Sequence, residues 1–239
     1  MTEVQVVIEQ IVQFRDARGY ICQKEWDGTK GAGDAASRVG IDAYLTSILG
    51  FPHAPLFNYL LDGIEVEPGI YKRHPTSDIS FNTIKDFSRD QQIPLVIAMG
   101  AYPEQKPRLM RLFLKHILRF GKYQNWDFMG TQHLGMYLRS FNWKLLYPLL
   151  PILDLGLVID SISNVVRYKL DPDDTTNHLN HSLAIIQAYY VQPTPISYIA
   201  RKIYSWAHPQ AGLDSYFRAE TGAPPMHLLY KPITNKIDL

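Results

Sequence analysis

The sequence predicts an all-α protein, on three observations. Apolar residues recur at helical spacing along most of the chain. Glycines and prolines punctuate those stretches at short intervals, where helices stop and start. Strand-like alternation is confined to one short piece, Ile64-Glu65-Val66-Glu67. About ten helices with short links, and no linker, low-complexity tract or block of charge, give a single domain over 1–239, built of antiparallel helical hairpins.

The elements follow in order. Val4, Val7, Ile8, Ile11 and Phe14 predict an amphipathic helix over about 3–17, with Gly19 as its stop. A glycine-rich loop, 26–33, runs into a helix that Asp34 opens and Gly50 closes. Residues 54–61 are helical, Asp62-Gly63 is a turn, and 64–71 holds at most a small hairpin around Pro68-Gly69. Ser88 opens a helix to about Met99, and Pro107 suits the first turn of the next, to about 118–120. A loop at 125–130 precedes a helix over 131–141. Residues 143–168 make an apolar helix kinked by Pro148 and Pro151. Helices over 177–190, 195–206 and 214–220 lead into an irregular tail after Gly222-Ala223-Pro224-Pro225.

The bulk composition narrows the function classes. A formal charge of +1 gives no electrostatic case for nucleic acid or an anionic membrane. A lone cysteine, Cys22, excludes an internal disulfide, and the start of the chain shows no signal-peptide pattern, so a cytoplasmic location is expected. The greasiest stretch, 145–159, carries Pro148, Pro151 and Asp154 and falls short of the roughly 20 residues a spanning helix needs. It reads as a buried core helix; a membrane anchor is the remaining reading.

Several clusters carry candidate chemistry. The loop and helix start at 26–40 combine Trp26, Asp27, three glycines, Asp34 and Arg38. The Gly-Lys-Ser/Thr ending of a phosphate-binding loop is missing. Asp34 occupies an N-cap position, and Arg38 one turn on can pair with it. Ser88 and Gln91 have capping-box spacing, with Arg89 and Asp90 between them and Pro94 disturbing the turn that follows. Arg73-His74-Pro75 suits an anionic or hydroxylated ligand, and Trp126-Asp127, followed by Gln132 and His133, sets a ring beside a carboxylate. His178 and His181 lie three apart, but neither Glu-x-x-His nor Cys-x-x-Cys occurs, so no metal and no cofactor is expected. There is no Gly-x-Ser-x-Gly elbow, and Cys22 reads as a buried thiol before it reads as a nucleophile.

Asp27-Gly28, the run Gly33-Asp34-Ala35-Ala36-Ser37-Arg38-Val39-Gly40, Arg73-His74-Pro75 and Ser88-Arg89-Asp90-Gln91 together resemble the loop and helix-start features of the α/α-toroid, six-hairpin glycosidase-like class. The resemblance implies helical hairpins around a central funnel, acidic and aromatic residues at its mouth, and glycan substrates. The expected function is a glycoside hydrolase or polysaccharide lyase using paired carboxylates. Asp34 and Asp90 are its acid and base and His74 a proton shuttle. Arg38, Arg73, Arg89 and Gln91 orient the substrate, and Trp26, Asp27, Trp126 and Asp127 bind it. The expected partner is a glycan or other small polar ligand, without nucleic acid and without an integral membrane segment. The rival expectation is a non-catalytic helical binding or assembly module in which the same Asp and Arg residues lock helices together. The two differ in whether these side chains line an open hollow or are sealed and fully paired.

Overall fold

The computed structural model describes residues 2–24, 30–31, 33–76, 87–118, 122–123, 126–127, 130–170, 176–207 and 225–237. Those residues are mostly helical. The helices are α1 (Glu3–Val12), α2 (Ala35–Ile48), α3 (Ala54–Ile64), α4 (Arg89–Ala101), α5 (Lys106–Leu118) and α6 (Thr131–Phe141). They continue as α7 (Leu150–Leu153), α8 (Leu155–Leu170), α9 (Thr176–Val191), α10 (Pro195–Ala207) and α11 (His227–Ile237). Three antiparallel pairs supply the described strands: β1 (Gln23–Lys24) with β2 (Lys30–Gly31), β3 (Glu65–Glu67) with β4 (Ile70–Tyr71), and β5 (Lys122–Tyr123) with β6 (Trp126–Asp127). Each pair lies in the connection that leads into α2, α4 or α6.

The core is a layer of helices with little solvent-facing side. Residues 35–46 of α2, 91–99 of α4, nearly all of α6 and 180–188 of α9 are buried. A helix buried all round must carry small or apolar residues on every face. The runs Ala35-Ala36 and Leu95-Val96-Ile97-Ala98-Met99 do so. α1, α3 and α5 are amphipathic, and each buries one stripe: Val7 and Ile11, Phe57 with Leu60, Leu61 and Ile64, and Leu109 with Leu112. α4 packs against α2, α5, α6 and α9, and α11 packs against α1 and α2.

Gly40 sets the tightest of these contacts. A Cβ there would lie 2.6 Å from the Pro94 carbonyl carbon and 2.7 Å from the Leu95 nitrogen. Only glycine lets α2 and α4 touch backbone to backbone. The contact falls less than two turns from both N-termini, so it draws those two helix starts together. Pro94 therefore does not break α4; the helix runs through it, and the ring packs at the Gly40 crossing.

Several sequence expectations need correction. α1 stops at Val12, and Gly19, at φ +91°, instead serves the turn that follows. Asp62 and Gly63 lie inside α3, which ends where β3 begins. Trp126-Asp127 is paired strand, not loop. The tail is not irregular, because Leu229, Tyr230, Ile233 and Ile237 of α11 bury one face at helical spacing despite Pro232. The kinked helix at 143–168 is a 3-10 stretch (Lys144–Leu149), then α7, then α8. It is not a core helix, since most of it lies at the surface. The expected helix at 214–220 lies outside the described residues.

Candidate functional site

Residues from three separated segments meet at the N-terminal ends of α2 and α4. Asp34 precedes α2 and Arg38 lies on its first turn, with the ion pair at 3.8 Å. Arg73, from the bend just after β4, reaches Asp34 at 3.5 Å and donates to the Gly33 carbonyl at 3.2 Å and to Ser88 Oγ at 3.1 Å. Ser88 Oγ in turn donates to Asp90 Oδ1. Gln91 is fully buried and ties the group together. Its Nε2 donates to Asp34 Oδ1 at 2.9 Å and to Asp90 Oδ2 at 3.1 Å, and its Oε1 accepts from the Ser37 amide at 2.9 Å.

This geometry changes the reading of two local motifs. Asp34 and Ser88 stand at N-cap positions, yet neither side chain caps its own helix. The Ser88–Gln91 pair has capping-box spacing but is spent between helices. Gln91 caps the Ser37 N–H of α2 from across the interface, and Asp34 is released to meet Arg73. The Ser37 donor at the start of α2 is thereby satisfied, as burial demands.

The two carboxylates share one amide nitrogen, so the bonded oxygens are at most about 6 Å apart, the two bonds laid end to end. Asp34 keeps 29 % of its side chain exposed, so the pair is not sealed in the core.

One residue from Asp90, Arg89 reaches a polar cavity of about 70 Å³ that is also lined by Gln132, His133, Asp160, Asn164, Asn180 and His181, and by neither Asp34 nor Asp90. Asn180 is 4 % exposed, and neither atom of its side-chain amide has a hydrogen-bond partner. That amide is poised for something that both donates and accepts. Burial, with Arg89 and His116 nearby, pushes His133 down to about 3, so its ring is neutral. Gln132 Nε2 sits 3.5 Å from Nδ1 of His181, and Nε2 of that ring lies 2.7 Å from Ser161 Oγ, which donates to the Ala200 carbonyl. His181 is therefore committed to a chain of neutral hydrogen bonds and not to a metal.

A larger, more apolar cavity of about 500 Å³ lies at the opposite ends of the inner helices, beside Tyr44, Ile97, Lys106, Arg139 and Tyr190. Its cations are occupied. Lys106 Nζ donates to the Gly100 and Ser140 carbonyls, and Arg139 makes a bidentate pair with Asp154 at 2.8 and 2.7 Å. Both hold the fold together at helix C-terminal ends, where cations are favoured.

The structure does not bring His74 to the carboxylate pair. Its Nδ1 accepts from the Thr76 amide at 3.2 Å, and its Nε2 meets Asp16 Oδ2 at 2.9 Å. Asp16, Cys22 and His74 put an oxygen, a sulfur and a nitrogen within 4.8 Å of one another, three of the four ligands a closed zinc site needs. The histidine–aspartate hydrogen bond already joins two of those atoms, and Cys22 Sγ contacts the Tyr20 carbonyl at 3.4 Å. Arg89 faces the cavity instead of Asp34. Trp26 and Asp27 lie outside the described residues, as do the side chains of Trp126, Asp127 and His178. Sequence reasoning missed Asn180 and Asp160. Their signal was polar residues spaced three or four apart within otherwise apolar helices, as in Asp160-Ser161 with Asn164 and Asn177 with Asn180-His181. In comparison with known proteins, no family model, curated protein or solved structure matches the chain.

Proposed function

We propose that the protein is a carbohydrate-active enzyme of α/α-toroid architecture that hydrolyses or eliminates a glycosidic bond beside the Asp34–Asp90 pair. The observation that carries this is the sharing of the Gln91 amide, which holds one oxygen of each carboxyl group within about 6 Å at adjoining helix starts. That bound takes in the roughly 5–5.5 Å of glycosidases that work through a covalent intermediate and falls short of the roughly 6.5–9.5 Å of those that invert. Asp34, between Arg38 and Arg73, fits the charged partner that attacks or stabilises the sugar carbon. Asp90 meets Ser88 and Gln91 and no described cation, and it fits the proton donor. The Asn180 amide, with neutral His133 and the Arg89 guanidinium, suits the vicinal hydroxyls of one sugar ring. The toroid reading gains support from α11, which returns the end of the chain to α1 and α2 as a closing ring requires.

A second reading has its own observation. Asp34 is paired with both Arg38 and Arg73, and Gln91 is fully buried, as a polar lock between helices would be. One experiment separates the two. Asp34→Asn and Asp90→Asn are assayed on a panel of polysaccharides and disaccharide glycosides, with thermal unfolding measured in parallel. The enzyme reading expects turnover to fall by about 10³-fold or more at little cost in stability. Turnover untouched by both changes, or a protein that turns over nothing on the panel and merely melts earlier as Asp34→Asn, overturns it in favour of the lock.

A further inference from the structure

The surface stretch Lys144–Val166 is long and apolar enough to cross a membrane by length and composition, yet only 22 % of its most apolar window is buried within the protein. It is not free to span a bilayer. Its inner side is seated in the fold through the Arg139–Asp154 pair, the Ser161 hydrogen bonds and buried Asn164. Its outer side holds something more specific than scattered grease. Every exposed residue from 150 to 166 is aliphatic: Ile152, Leu155, Ile159, Ile162 and Val166. Their spacing is 3, 4, 3, 4, which is the seam that one helix offers another.

We infer that this seam is the interface of a homodimer, with the α7–α8 stretch packed antiparallel against that of a second copy about a two-fold axis near Ile159. The stripe is nearly palindromic about that residue, the most exposed of the five at 65 %, so an identical stripe running the other way meets it in register. Ile152 then faces Val166 of the second copy, and Leu155 faces Ile162. The five residues expose the equivalent of about 2.8 whole aliphatic residues. That is about 500 Å² per copy, or about 1,000 Å² for the pair, the size a specific interface has to reach.

The test uses the full chain and does not depend on its enzymatic activity. Light scattering coupled to gel filtration across 1–100 μM, as orders of magnitude for a standard interface, is expected to give twice the 27.4 kDa chain mass. Ile159→Glu sets two like charges across the axis and is expected to weaken dimerisation by at least about 100-fold. A second variant guards against misfolding: Ile159→Cys is expected to cross-link between copies under mild oxidation, while Leu118→Cys, equally exposed on α5, does not. A wild-type monomer at all concentrations, a dimer indifferent to Ile159→Glu, or a monomer that sediments with phosphatidylcholine–phosphatidylglycerol vesicles overturns the inference.

Discussion

Gln91 gives the sharpest test of the site's construction. Gln91→Met keeps the length and volume of the side chain and removes its three hydrogen bonds. The largest loss is at the Ser37 amide, an N-terminal donor of α2 left buried without its acceptor, which costs about 1–3 kcal/mol. The two carboxylates lose one donor each. Asp34 retains Arg38, Arg73 and some water, so its share is small. The sum is about 2–4 kcal/mol, or a Tm lower by about 4–16 °C for a domain of this size. Urea unfolding of Gln91→Met, Asp34→Asn and the double variant measures both the cost and the coupling. The two residues touch, so a coupling above about 0.5 kcal/mol is expected. If Gln91→Met unfolds within about 0.5 kcal/mol of the parent, the amide does not hold the helix starts together and the shared-donor geometry is wrong.

Three further outcomes follow from the same contacts. Gly40→Ala drives a methyl group into the Pro94–Leu95 backbone and should destabilise by about 1–3 kcal/mol, read from the urea midpoint; an unchanged midpoint removes the close helix crossing. Burial holds His116 at about 4 and His133 at about 3, below the ordinary 6.5, so the unfolded chain takes up their protons first. Their stability is complete above about pH 6.5 and is lost as pH falls towards those values, about 3 kcal/mol of it from His116; a parent as stable at pH 4.5 as at 7, or a His116→Phe variant with the same acid slope, contradicts this. Asp154→Ala strands Arg139 in the interior and should cost about 3–5 kcal/mol, whereas the double change Arg139→Met with Asp154→Leu should recover most of it in chemical unfolding; a double variant no better than the single refutes the paired-burial account.

Helix existence was legible wherever periodicity and punctuation agreed. The boundaries of α6 and α9 follow from Gly130, Asn142 and Pro193. The meeting of Asp34, Arg73, Asp90 and Gln91 was foreseen only as residues that ought to converge. What brings them together is Gly40, whose significance lies in the helix it touches and not in its neighbours along the chain. Local rules misled for the same reason. Ser88 and Gln91 satisfy a capping pattern, but Gln91 is taken up by the start of α2 and Ser88 by Arg73 from the bend after β4. The stretch after Trp143 was taken for core because apolar composition says that a residue shuns water, without saying which molecule covers it. The helix at 227–237 is hidden in the sequence because Gly222-Ala223-Pro224-Pro225 reads as the start of an irregular tail, although burial of Tyr230 and Ile233 on either side of Pro232 outweighs one missing amide.

The hairpins also divide the labour between the two ends of the molecule. Links leaving α2, α4 and α9 are short, at 49–53, 102–105 and 192–194, while those entering α2, α4 and α6 are long and carry the strand pairs. Insertions, deletions and substitutions at the long end alter what the helix starts encounter without disturbing how the rods stack. A scaffold arranged in this way can change its ligand by rewriting one rim, while the far rim stays under the strict demands of folding.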